Sequence, residues 1–165
     1  MKADAAAAAP VGCGRADARV WLALAALGLA VTAGVRPLAL PDEGRYVGVA
    51  WAMASSGDWL TPTLDGLPYF HKPPLFYWIT AAALGVFGPH EWAARAAPWL
   101  GGLLTSASLF LFARRWCGAR IARLGLVALL AQPLILVGAQ FANMDLLVAG
   151  LITAALLAGA DAVLR

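Results

Sequence analysis

Long runs of apolar side chains limit what this chain can fold into more than any other feature. Residues 92–112, 121–137 and 146–164 form three such blocks, and 20–40 forms a fourth that is apolar except for Arg36. Each is near the roughly 20 residues that a helix needs to cross a bilayer core. Across the chain 62% of residues are hydrophobic and 13% charged, whereas a soluble domain runs near half apolar and a quarter charged. Too little polar surface remains to coat the chain in water. An ordinary cytosolic enzyme, a disordered chain and a nucleic-acid-binding arm are excluded, and lipid is the expected solvent. Cys13 and Cys117 are too few for a disulfide scaffold and lack metal-ligand spacing.

The block at 74–87 is short for a span and suits a re-entrant or interfacial segment. Phe76, Tyr77 and Trp78 at its start fit the headgroup level. Charge bias separates the two topologies. If 74–87 crosses, giving five spans with the N-terminus inside, Arg114, Arg115, Arg120 and Arg123 fall outside, against the positive-inside rule. If it lies on the outer surface, four spans remain. Lys2, Arg15, Arg19, that Arg cluster and Arg165 then face inward, eight of the twelve basic residues. Arg36, Arg45, Lys72 and Arg95 are left on or near the outer side.

The expected architecture is therefore all-α and integral to the membrane. It has a cytoplasmic tail at 1–19 and a membrane region at 20–165 with about four transmembrane helices. An outer loop at 41–91 carries a helix at 46–54 and the surface-lying segment at 74–87. Ser55-Ser56-Gly57-Asp58 reads as a helix stop and Asp65-Gly66 as a turn. The run at 20–40 has two readings: a retained helix, which its continuation past Gly34 supports, or a signal peptide cleaved after Val31-Thr32-Ala33. Gly101-Gly102 is expected to allow close helix packing. Both cysteines fall on the reducing side, where disulfides are rare. The loop at 41–91 and the turn at 140–145 share the outer face, so Asp42, Lys72 and Asp145 can meet there.

These polar residues each have a plain reading beside a chemical one. Asp42 and Glu43 serve as a helix cap and a dipole partner, or as site carboxylates. Asp145 has the same alternatives, and the expense of a carboxylate near lipid favours function. Lys72, before Pro73-Pro74, is a snorkelling anchor or a contact for a lipid phosphate. Arg36 is expected to snorkel outward, and Asp161 to pair with Arg165 at i,i+4. With His71 and His90 as the two histidines, a histidine-based metal site is poorly supported.

Taken in order, PDEGRYVGVAWAMASSGDWLTPTLDGLPYFHKPPLFYWITAAALGVFG and EWAARAAPWLGGLLTSASLFLFARRWCG resemble the N-terminal part of bacterial membrane glycosyltransferases related to protein O-mannosyltransferases and the lipid A aminoarabinose transferases. The resemblance runs from about residue 20 to 165. It rests on DE-x-R-Y, SGDWL-x-P, G-x-PYF-x-KPPL-x-YW and E-x-AAR-x-x-P at this order and spacing. It implies a GT-C architecture, in which many membrane helices support an outer loop with two surface-lying helices. It also implies transfer of a sugar from a polyprenyl-phosphate donor to a lipid A, glycan or protein acceptor, on the periplasmic side of a bacterial inner membrane.

Carried over by position, the resemblance makes Asp42, Glu43 and Asp145 catalytic. Arg45, Tyr46, Tyr69, His71 and Lys72 become substrate-binding, with Lys72 at the donor phosphate. Membrane lipids are further partners and nucleic acid is not. No metal site or resident cofactor is assigned, and a divalent metal is left open. His71 stands where many relatives carry Glu, and Gln140 and Met144 where relatives often have Arg and Pro; these departures bear on which sugar and acceptor are used. Relatives have more membrane helices and often a C-terminal soluble domain, so these 165 residues are expected to hold half a catalytic centre and to be inactive alone. The alternative is a non-catalytic membrane subunit that binds lipid phosphate through the same loop.

Overall fold

The computed structural model describes residues 15–165, with side chains from Asp17 onward. Lys2, Cys13, most of the expected tail at 1–19 and the Arg15 side chain lie outside the described residues. In order, the elements are α1 Arg15–Val31, α2 Asp42–Ser56, β1 Thr63–Leu64, β2 Leu67–Pro68, α3 Leu75–Phe87, α4 Glu91–Ala94, α5 Ala96–Trp116, α6 Ala119–Leu130, α7 Pro133–Ala139 and α8 Asp145–Val163.

Among the described residues, α5 and α8 are the helices long and apolar enough to cross a membrane. The block at 121–137 is not one straight helix: α6 and α7 meet at 65°. Pro133 explains the break. It has no N–H to donate, and its ring disfavours helical geometry in the residue before it, so Gln132 is extended at φ −70° and ψ 123°. The run at 20–40 is also shorter as a helix than expected. α1 stops at Val31 after 17 residues, roughly 25 Å of rise, and 32–40 is irregular around Gly34 and Pro37. The four expected spans thus appear as two helices of spanning length, one bent pair and the shorter α1.

The outer-loop elements follow local sequence closely. α2 stops where Gly57 turns left-handed at φ 74° and its amide donates to the Met53 carbonyl, a conformation glycine adopts without a Cβ penalty. Asp65 at φ 51° and Gly66 at φ 80° make the turn between antiparallel β1 and β2, with Thr63 opposite Pro68. α3 begins directly after Pro74, and its 13 residues rise only about 20 Å, short of a hydrocarbon core about 30 Å thick.

Two packing features hold the elements together. Tyr46, Val49, Ala50 and Met53 of α2 pack on Phe76, Tyr77, Ala81 and Leu84 of α3, and Met144 and Leu147 from the start of α8 join the same cluster. Along the bundle, α5 and α8 approach backbone to backbone, as the Gly101-Gly102 pair suggested. A Cβ on Gly101 would strike the Leu146 carbonyl, and one on Gly150 would sit 2.5 Å from the Gly101 oxygen. Away from this crossing α8 leaves Leu151, Ile152, Leu156 and Val163 exposed, a surface suited to lipid or to further helices.

The crossing predicts a contrast among glycines. Gly101→Ala and Gly150→Ala should each destabilise the protein by about 1–3 kcal/mol, the usual cost of overpacking, read as a lower thermal unfolding temperature in detergent. Gly125→Ala, whose added carbon meets nothing within 4 Å, should be neutral or slightly stabilising. Equal effects at all three positions would contradict the close α5–α8 approach.

Candidate functional site

The first turn of α2 carries Glu43 into the fold, where its side chain is 0% exposed. A carboxylate stripped of water must find donors or lose its charge. Five donor atoms reach it. Oε1 accepts from Arg95 Nε at 3.1 Å and from the Ala142 amide at 2.7 Å. Oε2 accepts from Arg36 Nη1 at 2.6 Å, the Ala39 amide at 2.7 Å and Arg95 Nη2 at 3.3 Å. Arg95, also fully buried, donates in addition to the carbonyls of Ala33, Arg36 and Pro37. Burial pushes the Glu43 carboxyl pKa up, but hydrogen bonds from Arg95, the Ala39 and Ala142 amides and Arg36 more than reverse this and hold it at about 2.

Arg36 does not snorkel outward as expected. It turns inward because acceptors await it there: Glu43, and the Gln140 carbonyl at 2.8 Å. Its guanidinium also lies 5.4 Å from the centroid of the Phe141 ring, within cation–π range. Through Glu43 and its two arginines, the irregular segment 32–40, the start of α2, the α4–α5 junction and the loop before α8 are tied to one another.

Asp42, one residue before Glu43, is exposed. It is the first residue of α2, not its cap; Pro41 occupies that position. Its Oδ1 accepts from Arg45 Nη2 at 2.8 Å, and the Arg45 guanidinium lies 5.5 Å from the Tyr46 ring centroid. Tyr46 is buried, edge-on to Phe76 at 5.7 Å and stacked with Tyr77 at 6.5 Å. Tyr69 packs against this aromatic cluster, and His71 stacks on Tyr69 at 4.9 Å. Lys72 is exposed in the turn between Tyr69 and α3.

Asp145 is exposed as the first residue of α8, between Met144 and Leu147, which both belong to the cluster. Its own amide donates to Asn143 Oδ1 at 3.2 Å, and Asn143 Nδ2 donates to its Oδ2 at 2.9 Å. Asn143 and Asp145 thus close a local turn ahead of α8, with Met144 at the cap position, and the Asp145 side chain stays exposed while one of its oxygens accepts from Asn143. The segments carrying Asp42, Arg45, Tyr46, Tyr69, His71, Lys72 and Asp145 all converge on one core cluster. Glu43, expected among the catalytic carboxylates, is set apart from these: both its oxygens are occupied inside the protein.

Arg95 and Asn143 were not among the expected site residues. The E-x-AAR string contained the signal for Arg95, a lone cation amid Ala and Trp, which must find a partner when buried. Tyr77 is a further unforeseen member; its hydroxyl is buried without a hydrogen-bond partner, and burial pushes its phenol pKa up. Among the described residues no three His, Cys, Asp or Glu side chains come together in a metal-binding group.

The Glu43 environment predicts a pH dependence. A carboxyl whose folded pKa is depressed stabilises the fold fully above its unfolded pKa, and that stability is lost as pH falls through the folded value. The window is between the ordinary 4.5 and about 2. Thermal unfolding in detergent should therefore drop progressively from about pH 5 down to about pH 2. Glu43→Gln should start lower, because two guanidiniums lose their counter-charge, and should slope less; a parallel slope would exclude Glu43 as the source.

Residues 71–165 match the family described as dolichyl-phosphate-mannose-protein mannosyltransferase. An undecaprenyl phosphate-alpha-4-amino-4-deoxy-L-arabinose arabinosyl transferase of Pseudomonas savastanoi pv. phaseolicola is 30% identical over 130 residues, 78% of this chain and 24% of that protein. One from Pseudomonas fluorescens is 35% identical over 133 residues, 76% of this chain and 24% of that protein. A crystal structure of ArnT from Cupriavidus metallidurans bound to undecaprenyl phosphate shares the fold at a TM-score of 0.78 and 40% identity, over 84% of this chain and 26% of that one. The chain thus spans about a quarter of the length of these relatives. The family match covers more than half of the chain and includes Lys72, Arg95 and Asp145, and the fold agrees with it independently. The chain belongs to the dolichyl-phosphate-mannose-protein mannosyltransferase family of GT-C glycosyltransferases.

Proposed function

We propose that the protein acts in the transfer of a sugar from a polyprenyl-phosphate donor to a lipid A, glycan or protein acceptor, with Asp42, Lys72 and Asp145 at the reacting end. The observation that carries this reading is that the segments bearing these three exposed charges pack on one core cluster, through Tyr46, Tyr69 and Met144. The donor class is supported by the undecaprenyl phosphate in the Cupriavidus metallidurans structure. In this reading the site faces the periplasm from a bacterial inner membrane, and α2 and α3 lie along the membrane surface.

The chemistry fits these residue types. The sugar C1–O bond to phosphate breaks as a new C1–O bond to the acceptor forms; positive charge builds on the sugar ring and the lipid phosphate regains its negative charge. The Lys72 ammonium stabilises that leaving phosphate, with His71 and Tyr69 as a stacked wall beside it. The Asp42 carboxylate, oriented by Arg45, accepts the proton of the attacking hydroxyl or aligns that hydroxyl. Asp145 binds the sugar or acceptor from the start of α8. Glu43 does no chemistry; it and its arginines position the segments on which Asp42 and Asp145 stand.

In membranes where the wild type transfers sugar from a polyprenyl-phosphate donor, Asp42→Asn or Lys72→Ala should lower turnover by about 100-fold or more. Insertion and thermal stability should not change, because both side chains are exposed. Near-wild-type turnover in both variants would sink the site assignment. Arg36→Lys tests the positioning role, since it keeps the charge but loses the fork that reaches Glu43 and Gln140 together. It should lower kcat by about tenfold, as small misplacement of reacting groups does, with the donor KM little changed. A rise in KM alone would make Arg36 a substrate contact instead.

A further inference from the structure

The far end of the bundle from Asp42 and Asp145 carries a second feature that the proposed chemistry does not use. A groove of about 460 Å³ runs between α1 and α5, lined by Ala18, Arg19, Leu22, Leu111, Arg114 and Arg115. Its floor is apolar, and Leu111 remains 52% exposed within it. Leu22 of α1 and Leu111 of α5 each lie one turn further from the helix end than the arginines of the same helix. Three guanidiniums stand at one rim. The groove is therefore amphipathic along its length, cationic at the helix ends and apolar toward the helix middles.

The charge at this end is in excess. Arg115 Nε and Arg165 Nη2 share the single Asp161 carboxylate, at 3.1 and 2.7 Å, and Trp116 Nε1 donates to it as well, at 3.0 Å. Among the described residues, Asp17 is the other acidic residue at this end, immediately before Ala18 of the groove lining. Against these two acids stand Arg19, Arg114, Arg115 and Arg165, with Arg120 and Arg123 on the adjoining turn of α6. An arginine fork matches phosphate oxygens in pairs, and basic pockets between membrane helices hold anionic headgroups.

We propose that this groove binds an anionic phospholipid, with its phosphate against Arg19 and Arg115 and an acyl chain along Leu22 and Leu111. A soluble phosphate would use the rim and leave the apolar floor idle. A zwitterionic lipid would fill the floor without answering the net positive charge. An anionic lipid with an acyl chain satisfies both halves of the groove.

The test is native mass spectrometry of the detergent-purified protein titrated with phosphatidylglycerol or phosphatidylethanolamine. The wild type should retain phosphatidylglycerol in preference, and Arg19→Gln should reduce that preference about fivefold, as expected for one guanidinium near an anionic lipid surface. Arg115→Gln should act alike, and Asp161 keeps Arg165 as its partner in that variant. Leu111→Trp fills the floor with no change of charge and should also displace the lipid. Arg120→Gln, outside the groove lining, should bind as the wild type does. Four results would each overturn the proposal: equal retention of the two lipids by the wild type, unchanged binding in Leu111→Trp, an equal loss in Arg120→Gln, or displacement of phosphatidylglycerol by millimolar inorganic phosphate.

Discussion

Everything on the site face of this protein depends on one buried carboxylate. Glu43 has no contact with water, so it is stable as an anion only while Arg95, Arg36 and the amides of Ala39 and Ala142 surround it. Removing one partner from a buried pair typically costs about 3–5 kcal/mol, because the other charge is left uncompensated. The donors come from four places in the sequence, and none can shift without breaking a short hydrogen bond. An ion pair of this kind is weak evidence for stability in itself, since apolar packing often does as well. What it supplies here is register between segments that share no regular secondary structure.

That register is what a group-transfer site needs. Asp42 is adjacent to Glu43 in the chain, and Asp145 follows Ala142 by three residues. Fixing Glu43 against Ala142 therefore fixes the two exposed carboxylates relative to each other, without engaging either one. The aromatic cluster of Tyr46, Phe76 and Tyr77 performs the same service for the Tyr69–Lys72 turn. The glycine crossing of α5 and α8 then carries the start of α8 at a set height along the bundle. In the proposed reaction the exposed charges are the ones that meet a substrate, while the buried ones are satisfied within the protein.

Features with a local cause were legible in the sequence. The Gly57 stop, the Asp65-Gly66 turn, the α3 boundary after Pro74 and the Gly101 packing each follow from a residue's own backbone freedom or size. The Asp161–Arg165 pair is equally local, one helical turn apart. Pro133 carried its signal too, yet hydropathy alone read 121–137 as one block because averaging over apolar side chains ignores a missing N–H. Long-range partners were not legible. Arg36 looked like a residue bound for the water, and only the fold reveals that Gln140, 104 residues away, offers it a carbonyl. Arg95 entered the charge count without a role, since its partner Glu43 lies 52 residues upstream. Asp42 and Glu43 read as a cap and a dipole partner, or as two site carboxylates; the helix separates them, one facing solvent and the other sealed inside.

The central claim is that the Glu43–Arg95 pair holds the segments beneath Asp42 and Asp145 as one unit. Hydrogen–deuterium exchange on the wild type and on Arg95→Met tests it most directly, read at the amides of Ala39, Glu43 and Ala142. The account predicts that all three lose protection together, although Ala142 is 47 residues from the substitution, while amides in the middle of α5 and α8 keep theirs. Faster exchange confined to the neighbourhood of residue 95, with Ala142 still protected, would contradict it.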